Sequence, residues 1–358
     1  MPLLRIGSAV IASRVSPLRL IGPTVSLVGL IVFAYILLTG KINLSSLDMG
    51  TLAAQLGSQQ DPTTAIAPVQ LDRGVPRAED RIRIATFDIQ AFDAKKVADP
   101  NVLQTIAAIL SYFDLVAIQG VRSPEAMPVA RVIDVINRSG GRYETIQSEP
   151  VGKPGRKEQY AFVWDSKRVR MIPDSNYTIR DDADRMVREP YVASFETRTP
   201  SAQGRASFRF TIINAHIDPD EVNSAAAVNE LSVLDDVFVR VREFEYTSRG
   251  EDDFILLGNL NVDARNLGEL GQIPGMISIA GNQPTSTDGK KTVDHILIDR
   301  SATSEFSTRY GVVDYQKEFG LTPEQAMMIS DHRPVWAEFS VNEISAFENV
   351  AQQPPAIR

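Results

Sequence analysis

The sequence predicts an α+β fold in which two packed sheets are flanked by helices, held to a membrane by a single N-terminal helix. Three observations carry that expectation. About ten short apolar runs and only three substantial helical patterns occupy residues 81–340, too many strands for a doubly wound sheet but suited to two stacked ones. A stretch of 21 uncharged residues, Leu20 to Gly40, precedes them. Between the two lies a polar connection with no sustained apolar periodicity.

In chain order, residues 1–19 form a short N-terminus bearing Arg5, Arg14 and Arg19 and no acid. Residues 20–40, at about 1.5 Å per helical residue, span roughly 31 Å, the thickness of a bilayer's hydrocarbon core. Two rival readings are a buried core helix and a cleaved signal peptide. The length without a charge opposes the first; the long basic lead and the lack of an A-x-A-like site after Leu38 oppose the second. Three arginines before the span against Lys41 after it predict a cytoplasmic N-terminus and a domain on the outer side, periplasmic or extracellular. Residues 41–80, with GSQQDPTTAIAPVQ, read as a linker, and residues 341–358, ending AQQPPAIR, as a disordered tail. Residues 81–340 remain as one compact unit.

Within that unit, strands are expected at Ile82–Phe87, Leu115–Gln119, Tyr143–Gln147, Gln159–Trp164 and Val169–Ile172, where short apolar runs end at turn-forming residues. Five more follow at Tyr191–Phe195, Phe208–Ala215, Phe254–Gly258, Val293–Ile298 and Val335–Phe339. Helical spacing of apolar residues marks Val102–Tyr112, Pro124–Asn137 and the longer Asn223–Glu243.

Composition narrows the chemistry. The chain has 358 residues and no cysteine, which excludes disulfides, thiolate metal sites and a cysteine nucleophile. Any imidazole chemistry must use His216, His295 and His332, the three histidines present. The formal charge is −8, and because residues 1–41 are basic the remainder carries −12, which argues against a broad nucleic-acid patch but leaves room for a few local arginines and a bound cation.

Several strands end in acid, amide or imidazole groups: Phe87-Asp88, Ala215-His216, Gly258-Asn259-Leu260-Asn261 and Val293-Asp294-His295. Ser330-Asp331-His332 stands just before the last strand. Polar groups at strand ends commonly line a cleft at a sheet edge, where the backbone stays rigid while side chains leave the core.

At these residues the sequence resembles the endonuclease/exonuclease/phosphatase superfamily, and most closely its deoxyribonuclease I branch. The resembling stretches are RIATFDIQAF, DLVAIQGVRSPE, YETIQSEPVGKPGRKEQYAFVW, VREPYVASF, INAHIDPDE, ILLGNLNVDA, TVDHILI and DYQKEFGLTPEQAMMISDHRPVWAEF, in the expected order across residues 81–340. The resemblance implies a four-layer α/β/β/α sandwich. It implies His332 as general base oriented by Asp294, and His216 as general acid oriented by Glu158. Asn261 and Arg188 match positions near the scissile phosphate. Arg122 matches an arginine that enters the DNA minor groove, and Arg156 stands where deoxyribonuclease I has a groove-stacking tyrosine. His295 is a support residue.

The metal site departs from the family's pattern. Where members place a glutamate after the second strand, this chain has Gly120; where they have G-D-x-N it has Asn259, and where they have a strand-end asparagine it has Asp88. Asp88 and Asp331 are then the candidate ligands for Mg²⁺, with Mn²⁺ as a substitute, since Mg²⁺ is often held by one or two carboxylates and water. Structural Ca²⁺ sites leave no readable signature. The resemblance implies a metal-dependent phosphodiesterase acting on DNA, weakened at Gly120 and Asn259, which the apolar segment 20–40 would anchor to a membrane. The alternative is a catalytically silent domain that binds DNA, a phosphorylated ligand or a protein in the inherited cleft. A hydrolase of another phosphoester, such as a lipid head group, has only the membrane tether to recommend it.

Overall fold

The computed structural model describes residues 77–123, 127–198, 205–222 and 229–344. The expected membrane helix at 20–40, the N-terminus before it and most of the linker lie outside the described residues. Among those described, no helix is long and apolar enough to cross a membrane.

The chain runs β1 (Arg81–Phe92), α1 (Pro100–Leu110), β2 (Leu115–Val121), α2 (Met127–Arg138), β3 (Tyr143–Gln147), β4 (Gln159–Asp165) and β5 (Val169–Met171). It continues through β6 (Tyr177–Thr178), β7 (Tyr191–Thr197), β8 (Arg209–His216), α3 (Pro219–Val222), α4 (Glu230–Arg249) and β9 (Phe254–Asn259). The remaining elements are β10 (Met276–Ser278), β11 (Asp294–Asp299), β12 (Phe306–Val312), α5 (Tyr315–Glu318), α6 (Pro323–Ile329) and β13 (Val335–Ser340). One sheet is ordered β12-β13-β1-β2-β4-β3 and the other β10-β11-β9-β8-β7-β5, with β6 paired to β7.

Strand alternation builds three apolar layers. On β1, Ile82 and Ile84 face the second sheet, where they meet Phe195, Phe210, Ile212 and Leu257; Ala85, Phe87 and Ile89 face the other way, against α1 and α2. On the far side Val233, Leu234, Val237 and Phe238 of α4 cover Ile213, Leu256 and Leu297. The result is helices, sheet, sheet, helices, the expected mixed two-sheet architecture.

Among the described residues, only β1 with β2 and β8 with β9 run parallel. Parallel neighbours need a crossover, and α1 and α4 supply it. This topology brings the carboxyl ends of β1, β2, β8 and β9 to one edge. The antiparallel partners start there: Asp294 pairs with Asn259, Gln159 with Val121, and Val335 with Thr86. Glu158 and His332 therefore sit just ahead of their strands, at the same edge as Asp88, Gly120, His216 and Asn259.

Some expected boundaries move. The long helix starts at Glu230, where the Asn229 side chain caps Ser232 N and the Ser232 hydroxyl caps Asn229 N, and it ends at left-handed Gly250. Residues 223–228 of the expected helix lie outside the described residues. Three strands escape the sequence pattern: β6 and β10 are too short to show a period, and β12, FSTRYGV, is a half-exposed edge strand without an apolar run. The packed chain continues past 340, with Val341 buried and Glu343 N donating to Ala206 O.

Candidate active site

The cleft at this edge has a volume of about 750 Å³. Every site residue expected from the sequence lines it except Asp294, which stands behind His332.

Two imidazoles face each other across it, each backed by a carboxylate. His332 Nδ1 bonds both oxygens of Asp294, at 2.9 and 3.1 Å. His216 Nδ1 lies 2.8 Å from Glu158 Oε2, although ring and oxygen do not align into a proper hydrogen bond. The difference has a cause. Glu158 is shared: Arg122 forks onto Oε1 at 3.1 and 2.8 Å, and Arg188 Nε approaches Oε2 at 3.3 Å. Burial alone would raise the Glu158 carboxyl, but His216, Arg188 and Arg122 outweigh it and hold it at about 2. A carboxylate on the inner nitrogen fixes the tautomer and leaves Nε2 for the cleft.

Both Nε2 atoms converge on Asp88. Its Oδ2 is 3.5 Å from His216 Nε2 and 3.7 Å from His332 Nε2, and it accepts 2.9 Å from Asn259 Nδ2. The two departures from the family pattern, at 88 and 259, are thus one hydrogen-bonded pair. Burial would raise the Asp88 carboxyl; His216, His332 and the Asn259 amide pull it below its ordinary value. Burial would lower His332, but Asp294, Asp88 and Asp331 lift it to about 10.

The arginines are held by carboxylates around the cleft. Arg188 is buried, bonding His216 O at 3.3 Å and lying 3.6 Å from Asp218, so it braces the site from below. Arg122 holds Glu158, and Arg156 pairs with Asp218 and Asp220 at 3.0 and 3.3 Å. The last two remain half exposed at the rim. Asn261 takes a left-handed conformation that asparagine tolerates, and its amide donates to Ile217 O at 2.7 Å. His295 is fully buried between Val262 O and the Ser278 hydroxyl, a support residue, and burial lowers its pKa.

Several residues that shape the site were not singled out from the sequence. Glu230 is fully buried at the start of α4 and accepts from Val187, Arg188 and Asp218 backbone N–H groups, tying the VREPY loop to the loop after β8. Nothing in the sequence marks it, because its partners are backbone groups from two distant loops. Tyr160 accepts His216 N at 3.1 Å, and the KE-x-Y motif did carry that signal. Ser330 donates to Asp88 O at 2.6 Å and accepts His332 N at 3.1 Å, pinning the first strand to the last.

The cation site rests on few donors. Asp331 Oδ1 is enclosed and has no hydrogen-bond partner, while Oδ2 accepts from Gln90 at 3.1 Å. That oxygen and the Asp88 carboxylate both line the cleft and are donors suited to a divalent cation that keeps most of its water. Gly120 offers nothing, and it cannot simply be replaced. Its φ is +78°, and a Cβ there would stand 2.7 Å from both Asp88 Oδ1 and Ile89 O. Gly120→Glu is therefore expected to destabilise the fold by about 1–3 kcal/mol without raising activity. Thermal unfolding and nicking assays on that variant check both halves, and a stable, more active variant would refute this geometry.

Two packed sheets with outer helices, and two imidazole–carboxylate pairs at one sheet edge, define a domain of the endonuclease/exonuclease/phosphatase superfamily. Solved structures of such proteins from Bacteroides thetaiotaomicron and Bacteroides vulgatus share the fold, each with a TM-score of 0.50, at 15% and 12% identity, covering 74% and 73% of this chain and 99% of each of theirs. Deoxyribonuclease-1-like 2 of Mus musculus is 30% identical over 275 residues, covering 73% of this chain and 92% of the mouse protein; deoxyribonuclease-1 of Rattus norvegicus is 30% identical over 272, covering 71% and 90%. The chain belongs to the deoxyribonuclease I family. No family model matches it.

Proposed function

We propose that this chain is a metal-assisted DNA phosphodiesterase, anchored by residues 20–40 with its domain on the outer side of a membrane. One observation carries the reading: both imidazole Nε2 atoms, each backed by a carboxylate, aim at the same point from opposite sides. Phosphodiester hydrolysis needs a proton taken from water and another given to the leaving oxygen, and two such groups across one phosphate can do both. His332, oriented by Asp294, takes the first; His216, oriented by Glu158, gives the second. Arg188 and Asn261 hold the surrounding loops at the phosphate, and Arg122 and Arg156 face DNA from the rim. A cation held by Asp88 and Asp331 would neutralise phosphoryl charge.

In the free site His332 holds its proton, being lifted to about 10 by acids that include the two candidate ligands. It must lose that proton to act as base. The acidic limb of kcat/KM is therefore expected above pH 8 at low Mn²⁺, moving down as Mn²⁺ rises and the pull of Asp88 and Asp331 is cancelled. A limb fixed near pH 6.5 at every metal concentration would exclude this assignment.

Plasmid nicking by the full-length chain in Mg²⁺, Mn²⁺ or EDTA tests the activity. A second reading, a silent DNA-binding module, is favoured by one feature: the Asp88 carboxylate already occupies the point where the imidazoles converge. Retained DNA binding with no nicking at high Mn²⁺ would establish it. For the anchor, carbonate washing should leave the chain in the membrane pellet and removal of residues 1–40 should release it; a soluble full-length chain would refute it.

A further inference from the structure

The opposite end of the sandwich holds a second gathering of acids that the proposed hydrolysis does not use. Asp253 precedes β9 by one residue and Asn259 ends that strand, so about 20 Å of extended chain separates it from the cleft. Glu305 leads into β12 and Glu343 follows β13. Asp253, Glu305 and Glu343 each bring a carboxylate oxygen within 4.8 Å of the others.

These acids are incompletely satisfied. Asp253 and Glu305 are 3% and 2% exposed. Arg209 N donates to Glu343 Oε1 at 2.9 Å and Ile344 N to Glu305 Oε1 at 2.6 Å, but Asp253 Oδ1 has no partner. A separate side chain points at the same gap. The Thr303 hydroxyl is fully buried against the Asp253 carboxyl, yet it forms no properly aligned hydrogen bond. Burial and then the neighbouring Glu305 and Glu343 push Asp253 up to about 10, and burial first raises Glu343 to about 7. Unmet polar groups inside a protein are rare because they are costly. A shared proton joins at most two carboxyls; three carboxylates and a hydroxyl oxygen together are the donor set of a hard cation.

We propose that Asp253, Glu305 and Glu343, with the Thr303 hydroxyl, form a Ca²⁺ site that ties the entry of β9 to the turn before β12 and the segment after β13. Ca²⁺ suits it better than Mg²⁺, since these are protein oxygens in a largely dry setting and Ca²⁺ tolerates irregular geometry, whereas Mg²⁺ keeps its waters.

The test is thermal unfolding of the full-length chain, stripped with a chelator and titrated with Ca²⁺ alone. A hundred-fold excess over Kd is expected to raise the folded-to-unfolded ratio about 100-fold, a midpoint shift of about 5 °C. Asp331→Asn, at the cleft, should keep the shift, and Asp253→Asn should lose it. No shift in the unaltered chain, a shift that survives Asp253→Asn, or a shift that Asp331→Asn abolishes would overturn the site. An equal response to Mg²⁺ would overturn the choice of ion. Should Asp253→Asn fail to fold, Glu343→Gln, at the less buried position, must weaken Ca²⁺ affinity at least ten-fold, and unchanged affinity would count against the proposal.

Discussion

Nicking activity is expected to fall about 10²–10⁴-fold in His332→Ala, the range a positioned acid or base supplies. Loss of the ring removes one of the two nitrogens that converge on Asp88 and leaves Asp294, 1% exposed, without its imidazole. Part of the effect could then be structural, so the companion variant is Asp294→Asn. It preserves shape and a hydrogen bond to Nδ1 but favours the tautomer that puts the proton on Nε2, the wrong one for a base. A comparable activity loss with the unfolding midpoint near that of the unaltered chain would place the defect in proton transfer. Activity within about three-fold of the unaltered chain in both variants would remove His332 from the chemistry, since even the low end of the range is larger.

The second large effect concerns the pair Asp88 and Asn259, joined at 2.9 Å and exposed by only 4% and 2%. Asn259→Asp alone sets two buried carboxylates against each other without the amide donor between them. One must then take up a proton or the pair must separate, an expected loss of about 3 kcal/mol at pH 8. Asp88→Asn alone removes the negative charge that both imidazoles face, so His332 should lose part of its lift. The double swap Asp88→Asn/Asn259→Asp restores one amide and one carboxylate in the order seen in the resembling family. It should recover stability, with a coupling energy of about 2 kcal/mol or more, and should nick DNA faster than either single variant in Mn²⁺. Strictly additive destabilisation would mean that the two positions do not act as a unit.

Much of the site was legible because strand ends carry their chemistry in short motifs. Asp88, His216, Asn259, Asp294 and His332 each interrupt or border an apolar run, and the strand period fixes them at an edge. The parts that were not legible depend on partners far apart in sequence. Glu230 satisfies backbone donors 43, 42 and 12 residues away, and no local pattern records that. Arg122 and Arg188 match substrate-contact positions in their motifs, and the ion pairs both make with Glu158 are recorded by no local pattern. Edge strand β12 escaped notice because an edge does not require an apolar run on both faces.

The sequence by itself determined the two-sheet class, the residues at the cleft and the family, because apolar periodicity and strand-end motifs are local properties. Tertiary structure alone decided that Asp88 and Asn259 form one pair, that Gly120 cannot accept a side chain without displacing Asp88 or Ile89, and that acids from three separate segments meet at the far end. Each of these depends on which strand lies beside which, and that is set by packing two sheets against each other.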